Sequence, residues 1–104
     1  MLVEFSIIPV SGDGSMSDEI AEALRIVDRS GLPYQLTPSG TCVEGGWEEV
    51  MGLIQQCHEQ ARRTCRHVIT TIKIEDEEGE GNKLRDNVVS IEQKVGRRLQ
   101  RIPS

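Results

Sequence analysis

Apolar and polar positions along the 104-residue chain follow two periods, and the switches between them mark the elements. Leu2–Val10 is rich in β-branched residues and reads as a first strand, with Val3, Phe5 and Ile7 on one face and Glu4, Ser6 and Ile8 on the other. Ser11–Ser15 reads as a loop. Ser17 is then the expected N-cap of a helix with the apolar stripe Ile20, Ala23, Leu24, Val27. Asp18 and Glu19 suit its positive start, and Ser30-Gly31 followed by Pro33 suits its end. Tyr34–Thr37 and Thr41–Glu44 flank Pro38-Ser39-Gly40, which predicts a hairpin with a three-residue loop. From Trp47 the period lengthens again: Val50, Ile54, Cys57 and Ala61 share one helical face. Val68–Glu75 alternates as a last strand, and Leu84, Val88, Ile91, Val95 and Leu99 mark a last amphipathic helix.

The order β-α-β-β-α-β-α predicts an α+β chain, one domain over residues 1–104. Its first six elements make a ferredoxin-like βαββαβ sandwich: a four-stranded antiparallel sheet with helices on one face, plus a C-terminal helix. With Thr37 opposite Thr41, Gln35 pairs with Val43, Leu36 with Cys42 and Tyr34 with Glu44. Cross-strand partners point the same way. The helix-free face then holds Glu4, Ser6, Ile8, Gln35, Thr37, Thr41, Val43, Ile69, Thr71, Lys73 and Glu75. That mixture is too aliphatic for a wet surface, so a homo-oligomer formed through the sheet is expected.

Twelve basic against seventeen acidic side chains give a net charge of −5, which disfavours broad binding to phosphate backbones. One Phe, one Tyr and one Trp are too few for a base-stacking surface, so no nucleic-acid partner is expected. No apolar run reaches the ~20 residues that span a bilayer, so no membrane partner is expected either. The first residues, Met1-Leu2-Val3-Glu4-Phe5, do not read as a signal peptide. Cys42, Cys57 and Cys65 form no close pair, and reduced thiols fit a cytoplasmic location.

Catalytic apparatus is not evident. His58 and His67 have no serine in a nucleophile context, and Cys57-His58 with Cys65-x-His67 matches no usual zinc spacing. Cys57 sits on the apolar helix stripe, where a buried thiol is the ordinary outcome. No metal, cofactor or catalytic residue is assigned. Glu75–Gly81, with five carboxylates and two glycines, reads as a solvated loop. A binding module is expected rather than an enzyme.

Three blocks are more specific: Met1–Pro9, the run Gly31-Leu32-Pro33-Tyr34-Gln35-Leu36-Thr37-Pro38-Ser39-Gly40-Thr41-Cys42-Val43-Glu44-Gly45, and Trp47-Glu48-Glu49-Val50-Met51. They resemble the small thiamine-binding-protein family over about residues 1 to 99. The resemblance implies a ferredoxin-like fold assembled into dimers or tetramers. It also implies binding of thiamine or its hydroxymethylpyrimidine half without a known reaction, as carrier, buffer or sensor. The acidic Glu75–Glu78 departs from relatives that carry a basic residue there.

An aminopyrimidine offers an amine donor and ring-nitrogen acceptors, which a carboxylate and hydroxyls satisfy. Ser6, Gln35, Thr37, Thr41 and Glu44 supply such groups around one hairpin. The expected register puts Glu44 on the helix side, where it lines either a pocket against the second helix or the open face. Tyr34 either stacks on the ring or packs in the core, and Trp47 either anchors the helix start or walls the pocket. Lys73 either pairs with Glu4 or binds an anion. The alternatives are a structural or regulatory oligomeric interaction protein without a small ligand, and an enzyme in which Glu44 is the base.

Overall fold

The computed structural model describes residues 1–12, 16–79, 84, 91 and 94–96. Six elements follow in order: β1 (Leu2–Gly12), α1 (Met16–Arg29), β2 (Tyr34–Thr37), β3 (Gly40–Glu44), α2 (Trp47–Arg62) and β4 (Cys65–Glu75). The strands form one antiparallel sheet in the order β2-β3-β1-β4, with β1 paired to both β3 and β4. This is the α+β arrangement expected, with the strand order of the split βαβ pattern. β1 runs two residues further than predicted and β4 starts three earlier. Ser17 lies inside α1, which starts at Met16, so it is not the N-cap. The anticipated last helix falls mostly outside the described residues. Leu84, Ile91, Lys94 and Val95 are helical, and Gly96 turns to φ +87° directly after Val95. A glycine in that conformation commonly ends a helix; Val88 and Leu99, the other members of the expected stripe, lie outside the described residues.

The core lies between the sheet and the two helices. Val3, Phe5 and Val43 from the sheet meet Val27 of α1 and Val50, Leu53, Ile54 and Cys57 of α2, all buried. Leu53 completes the α2 stripe that the sequence spacing described without it. The two edges of the hairpin base are tied by backbone: Met1 donates its amino group to Gly45 O at 2.9 Å, Gly45 N–H to Met1 O, and Glu44 N–H to Pro33 O.

Cys57 is 1% exposed, and burial pushes its thiol up to about 11. An unfolded thiol ionises near 9, so the unfolded chain gains a stabilising ionisation that the folded chain does not have until pH 11. Stability is therefore lost as pH rises from about 9 to 11. Urea unfolding across that window is expected to show a Cys57→Ala chain declining less steeply, by on the order of 2 kcal/mol at the alkaline end. Equal declines would show that Cys57 ionises freely in the fold.

The hairpin departs from expectation by one residue. Thr37 pairs with Gly40, Leu36 with Thr41, Gln35 with Cys42 and Tyr34 with Val43. The loop is the two residues Pro38-Ser39, and Gly40 belongs to the strand. The cause is steric. A Cβ at Gly40 would stand 2.7 Å from the backbone oxygen of Phe5, so only glycine lets β3 lie this close to β1. A slip of one residue reverses every face assignment on the strand. Thr41 and Val43, opposite Phe5 and Val3, are buried on the helix side, while Cys42 and Glu44 take the open side.

Candidate ligand-binding site

Between α1 and the hairpin end of the sheet lies a cavity of about 300 Å³. Its floor is Phe5 and Ile7 of β1 with Thr41 of β3, and its roof is Ile20, Ala23, Leu24 and Val27 of α1. The Pro38-Ser39 turn and Leu36 close one end. The helix stripe that the sequence spacing marked is thus only partly used for packing. Ala23, the smallest side chain in it, leaves space where a larger residue would touch the sheet.

The lining is mainly aliphatic, with few polar groups. Thr41 is buried at 7% exposure beside Phe5. Glu19, half-buried on α1, brings a carboxylate to the cavity, and its Oε1 accepts a hydrogen bond from the hydroxyl of Thr64 in the α2–β4 connection. One carboxylate in an apolar hollow is suited to an amine donor or a cation, since both Coulomb attraction and the hydrogen bond strengthen away from water. Glu19 was read from the sequence only as a favourable charge at a helix start. Its helical spacing from Ala23 was the available signal, because i and i+4 share a face.

Of the eight residues singled out from the sequence, three border this cavity: Ser6, Thr37 and Thr41. The hydroxyl of Ser6 is engaged elsewhere, 2.6 Å from Thr71 Oγ1 on the open face. Thr37 donates its hydroxyl to Gly40 O at 2.9 Å and so holds the turn. The other five lie apart. Tyr34 neither stacks in the cavity nor packs in the core. It is 39% exposed, and its hydroxyl donates to Asp28 Oδ1 at 2.8 Å, which raises the phenol's pKa. Gln35, Glu44 and Lys73 take the open side of the sheet, so Glu44 does not line a pocket against α2. Lys73 stands opposite Glu4 in the β1–β4 register. Trp47 opens α2 and is 59% exposed, beside a shallow groove between α2 and β4 rather than beside the cavity.

The open face carries its own small polar group. The Cys42 thiol approaches Glu4 Oε2 at 3.8 Å; its pKa is raised first by burial and then by the Glu4 charge, with Lys73 opposing. On the helix side, His58 Nδ1 and Thr70 Oγ1 are 2.6 Å apart. Among the described residues no three His, Cys, Asp or Glu side chains come together as metal ligands, and no helix is long and apolar enough to cross a membrane.

Known proteins match this chain along most of its length. A UPF0045 protein of Mycobacterium bovis is 31% identical over 93 residues, covering 88% of this chain and 91% of that one. A UPF0045 protein of Staphylococcus xylosus is 32% identical with the same coverage. Among solved structures, a hypothetical protein from Methanocaldococcus jannaschii superposes with a TM-score of 0.79 at 22% identity, covering 86% of this chain and 93% of that one. A Thermotoga maritima protein provisionally assigned to thiamine biosynthesis or salvage superposes at 0.69 with 24% identity, covering 91% of this chain and 94% of that one. These two superpositions establish a shared fold. The model of the family described as thiamine-binding protein matches residues 3–92, and the chain belongs to that family.

Proposed function

We propose that the chain binds thiamine or its hydroxymethylpyrimidine half in the cavity under α1, acting as carrier, buffer or sensor and catalysing no reaction. The observation that carries this reading is the cavity itself. It is at the size where small-molecule sites begin, about 300 Å³, and its aliphatic walls hold one carboxylate. A flat heteroaromatic ring fits such walls, and Glu19 accepts from its exocyclic amine or balances a thiazolium charge. Family membership and the salvage assignment of the Thermotoga relative agree with that ligand class. Three free thiols agree with a reducing, cytoplasmic setting.

Titration calorimetry with thiamine and with hydroxymethylpyrimidine tests the reading. Saturable heat is expected for at least one of them. Glu19→Gln is expected to weaken it ~10- to 100-fold, the effect of removing a charged hydrogen-bond partner worth about 1.5–3 kcal/mol. No heat at millimolar ligand from folded protein rules the proposal out, and unchanged affinity in Glu19→Gln rules out the carboxylate's part in it.

One observation favours the second reading, a structural or regulatory oligomer without a small ligand. Ile8 and Ile69, partners in the β1–β4 register, are 43% and 46% exposed side by side on the open face. A sister sheet laid over them would bury both. Sedimentation separates the readings when paired with calorimetry: an oligomer with no ligand heat supports the second alone.

A further inference from the structure

Four hydroxyl side chains line the cavity under α1, and three of them are accounted for. Ser6 meets Thr71 on the open face, Thr37 donates to Gly40 O, and Ser39 lies exposed on the turn. Thr41 differs from all three. It is 7% exposed, the one buried polar side chain among the described residues, and its hydroxyl makes no hydrogen bond within the chain. Buried hydroxyls are almost always bonded, so one left over calls for a partner from outside. Valine has the same shape and suits a strand as well, so packing gives no reason for the hydroxyl.

The facing wall holds the cavity's other polar group. Glu19 of α1 is half-buried; its Oε1 accepts from Thr64, and its second oxygen makes no hydrogen bond within the chain. Thr64 is itself fixed. Its N–H donates to Ala61 O at 3.3 Å, and the neighbouring Arg62 guanidinium donates to Cys65 O at 2.8 Å. The carboxylate is thus held by a residue that does not line the cavity, and one of its oxygens is left over.

A carboxylate only accepts, so what it meets must donate. A hydroxyl bonded to nothing has a proton to give, so it suits an acceptor. Between aliphatic walls the two call for a flat ring with a donor and an acceptor at its edge. The halves of thiamine differ on this point. The aminopyrimidine has both, an exocyclic amine and ring nitrogens. The thiazolium carries a charge but no N–H.

We infer that Thr41 and Glu19 together select the aminopyrimidine half of the ligand, the carboxylate accepting from the amine and the Thr41 hydroxyl donating to a ring nitrogen. The inference rests on the ligand class proposed above and deepens it: it fixes which half enters the cavity and makes Thr41 a specificity-determining residue.

Calorimetry with the separate halves tests it. Hydroxymethylpyrimidine is expected to bind. Its analogue with hydrogen in place of the amine is expected to bind ~10- to 100-fold more weakly, since it leaves the carboxylate unpaired. An N-methylated thiazolium with the same hydroxyethyl arm is expected to give no heat. In Glu19→Gln the preference for the amine is expected to shrink, because an amide donates as well as accepts. Thr41→Val is expected to weaken hydroxymethylpyrimidine ~3- to 10-fold, and Thr41→Ser to bind as the parent does. Thr41→Val also separates a ligand role from a structural one. Without ligand its Tm is expected to stay level or rise by up to ~5 °C, because the hydroxyl it removes contributes no bond to the fold.

Four results overturn the inference while leaving the ligand class standing: a thiazolium that binds as tightly as the pyrimidine; a preference for the amine that survives Glu19→Gln undiminished; a Thr41→Val protein that binds like the parent; and a Tm lowered by Thr41→Val and restored by Thr41→Ser, which makes the hydroxyl a part of the fold. Absence of heat from the parent protein with both hydroxymethylpyrimidine and whole thiamine is a different failure, because it removes the proposed function and this inference together.

Discussion

Replacing Ala23 with leucine is expected to eliminate most ligand binding while leaving the fold intact. Ala23 lies in the roof of the cavity, and a leucine there places three more carbons inside about 300 Å³. The empty protein has room for them, and leucine follows alanine closely in helix propensity. Its stability is therefore expected to stay within about 1 kcal/mol of the parent, with a gain where the side chain fills the void. The occupied protein has no such room. Forcing ligand and leucine together costs about 1–3 kcal/mol of overpacking, so affinity falls ~10- to 100-fold. Calorimetry reads the affinity, and thermal unfolding without ligand reads the stability. A variant that binds as the parent does would place the ligand elsewhere, whereas one that unfolds would show Ala23 to be a packing residue rather than a cavity wall.

The largest loss of stability from one added methyl group is expected at Gly40. Its new Cβ would stand 2.7 Å from the oxygen of Phe5 and 3.4 Å from the carbonyl carbon. Both are backbone atoms of the central strand and cannot rotate away. Either β3 lifts off β1 or the register slips, and the cost is about 2–4 kcal/mol, in the range of the severe single substitutions. For a domain of this size that lowers Tm by ~10–20 °C. Gly31→Ala is the natural control. Its φ of +78° also disfavours a side chain, but nothing lies within 4 Å, so only the backbone cost of about 1–2 kcal/mol applies. A Gly40→Ala protein as stable as the Gly31→Ala protein would mean that the strands separate without penalty.

Gly40 also explains what could and could not be read in the sequence. The elements were legible because their signals are local: β-branched runs, the Ile20–Val27 stripe, the Val50–Ala61 stripe, and Gly31 before Pro33. Their order then fixed the layers. The hairpin register was not legible, because it depends on whether a glycine beside Pro38 serves the turn or the strand. Composition favours the turn; the approach of Phe5, thirty-five residues earlier, decides for the strand. From that single position the error spread. Thr41 was placed on the open face and is buried on the helix side, and Glu44 was placed on the helix side and sits on the open one. Glu19 could not be recognised for a related reason. Its tie to Thr64 and its place over the sheet join residues forty-five apart, and nothing in the neighbourhood of either announces the other. Trp47 was read either as anchoring the helix start or as walling the pocket; it opens α2 and lies apart from the cavity, exposed beside the groove between α2 and β4.

The placing of β1 has a consequence for how the protein is made. Within this sequence β1 is the first strand to be synthesised, yet it occupies the centre of the sheet and all its strand partners come later: Phe5 meets Thr41 and Ile72, and Leu2 meets Glu75. At ~5–20 residues per second, a ribosome needs several seconds to deliver β4 after β1 has been added. Until β3 is made Leu2–Val10 has no strand partner, and until β4 is made it lacks one along its other edge. The sheet therefore cannot be completed until its last strand has been made, and slower delivery of β4 prolongs the time for which one edge of β1 stands unpaired.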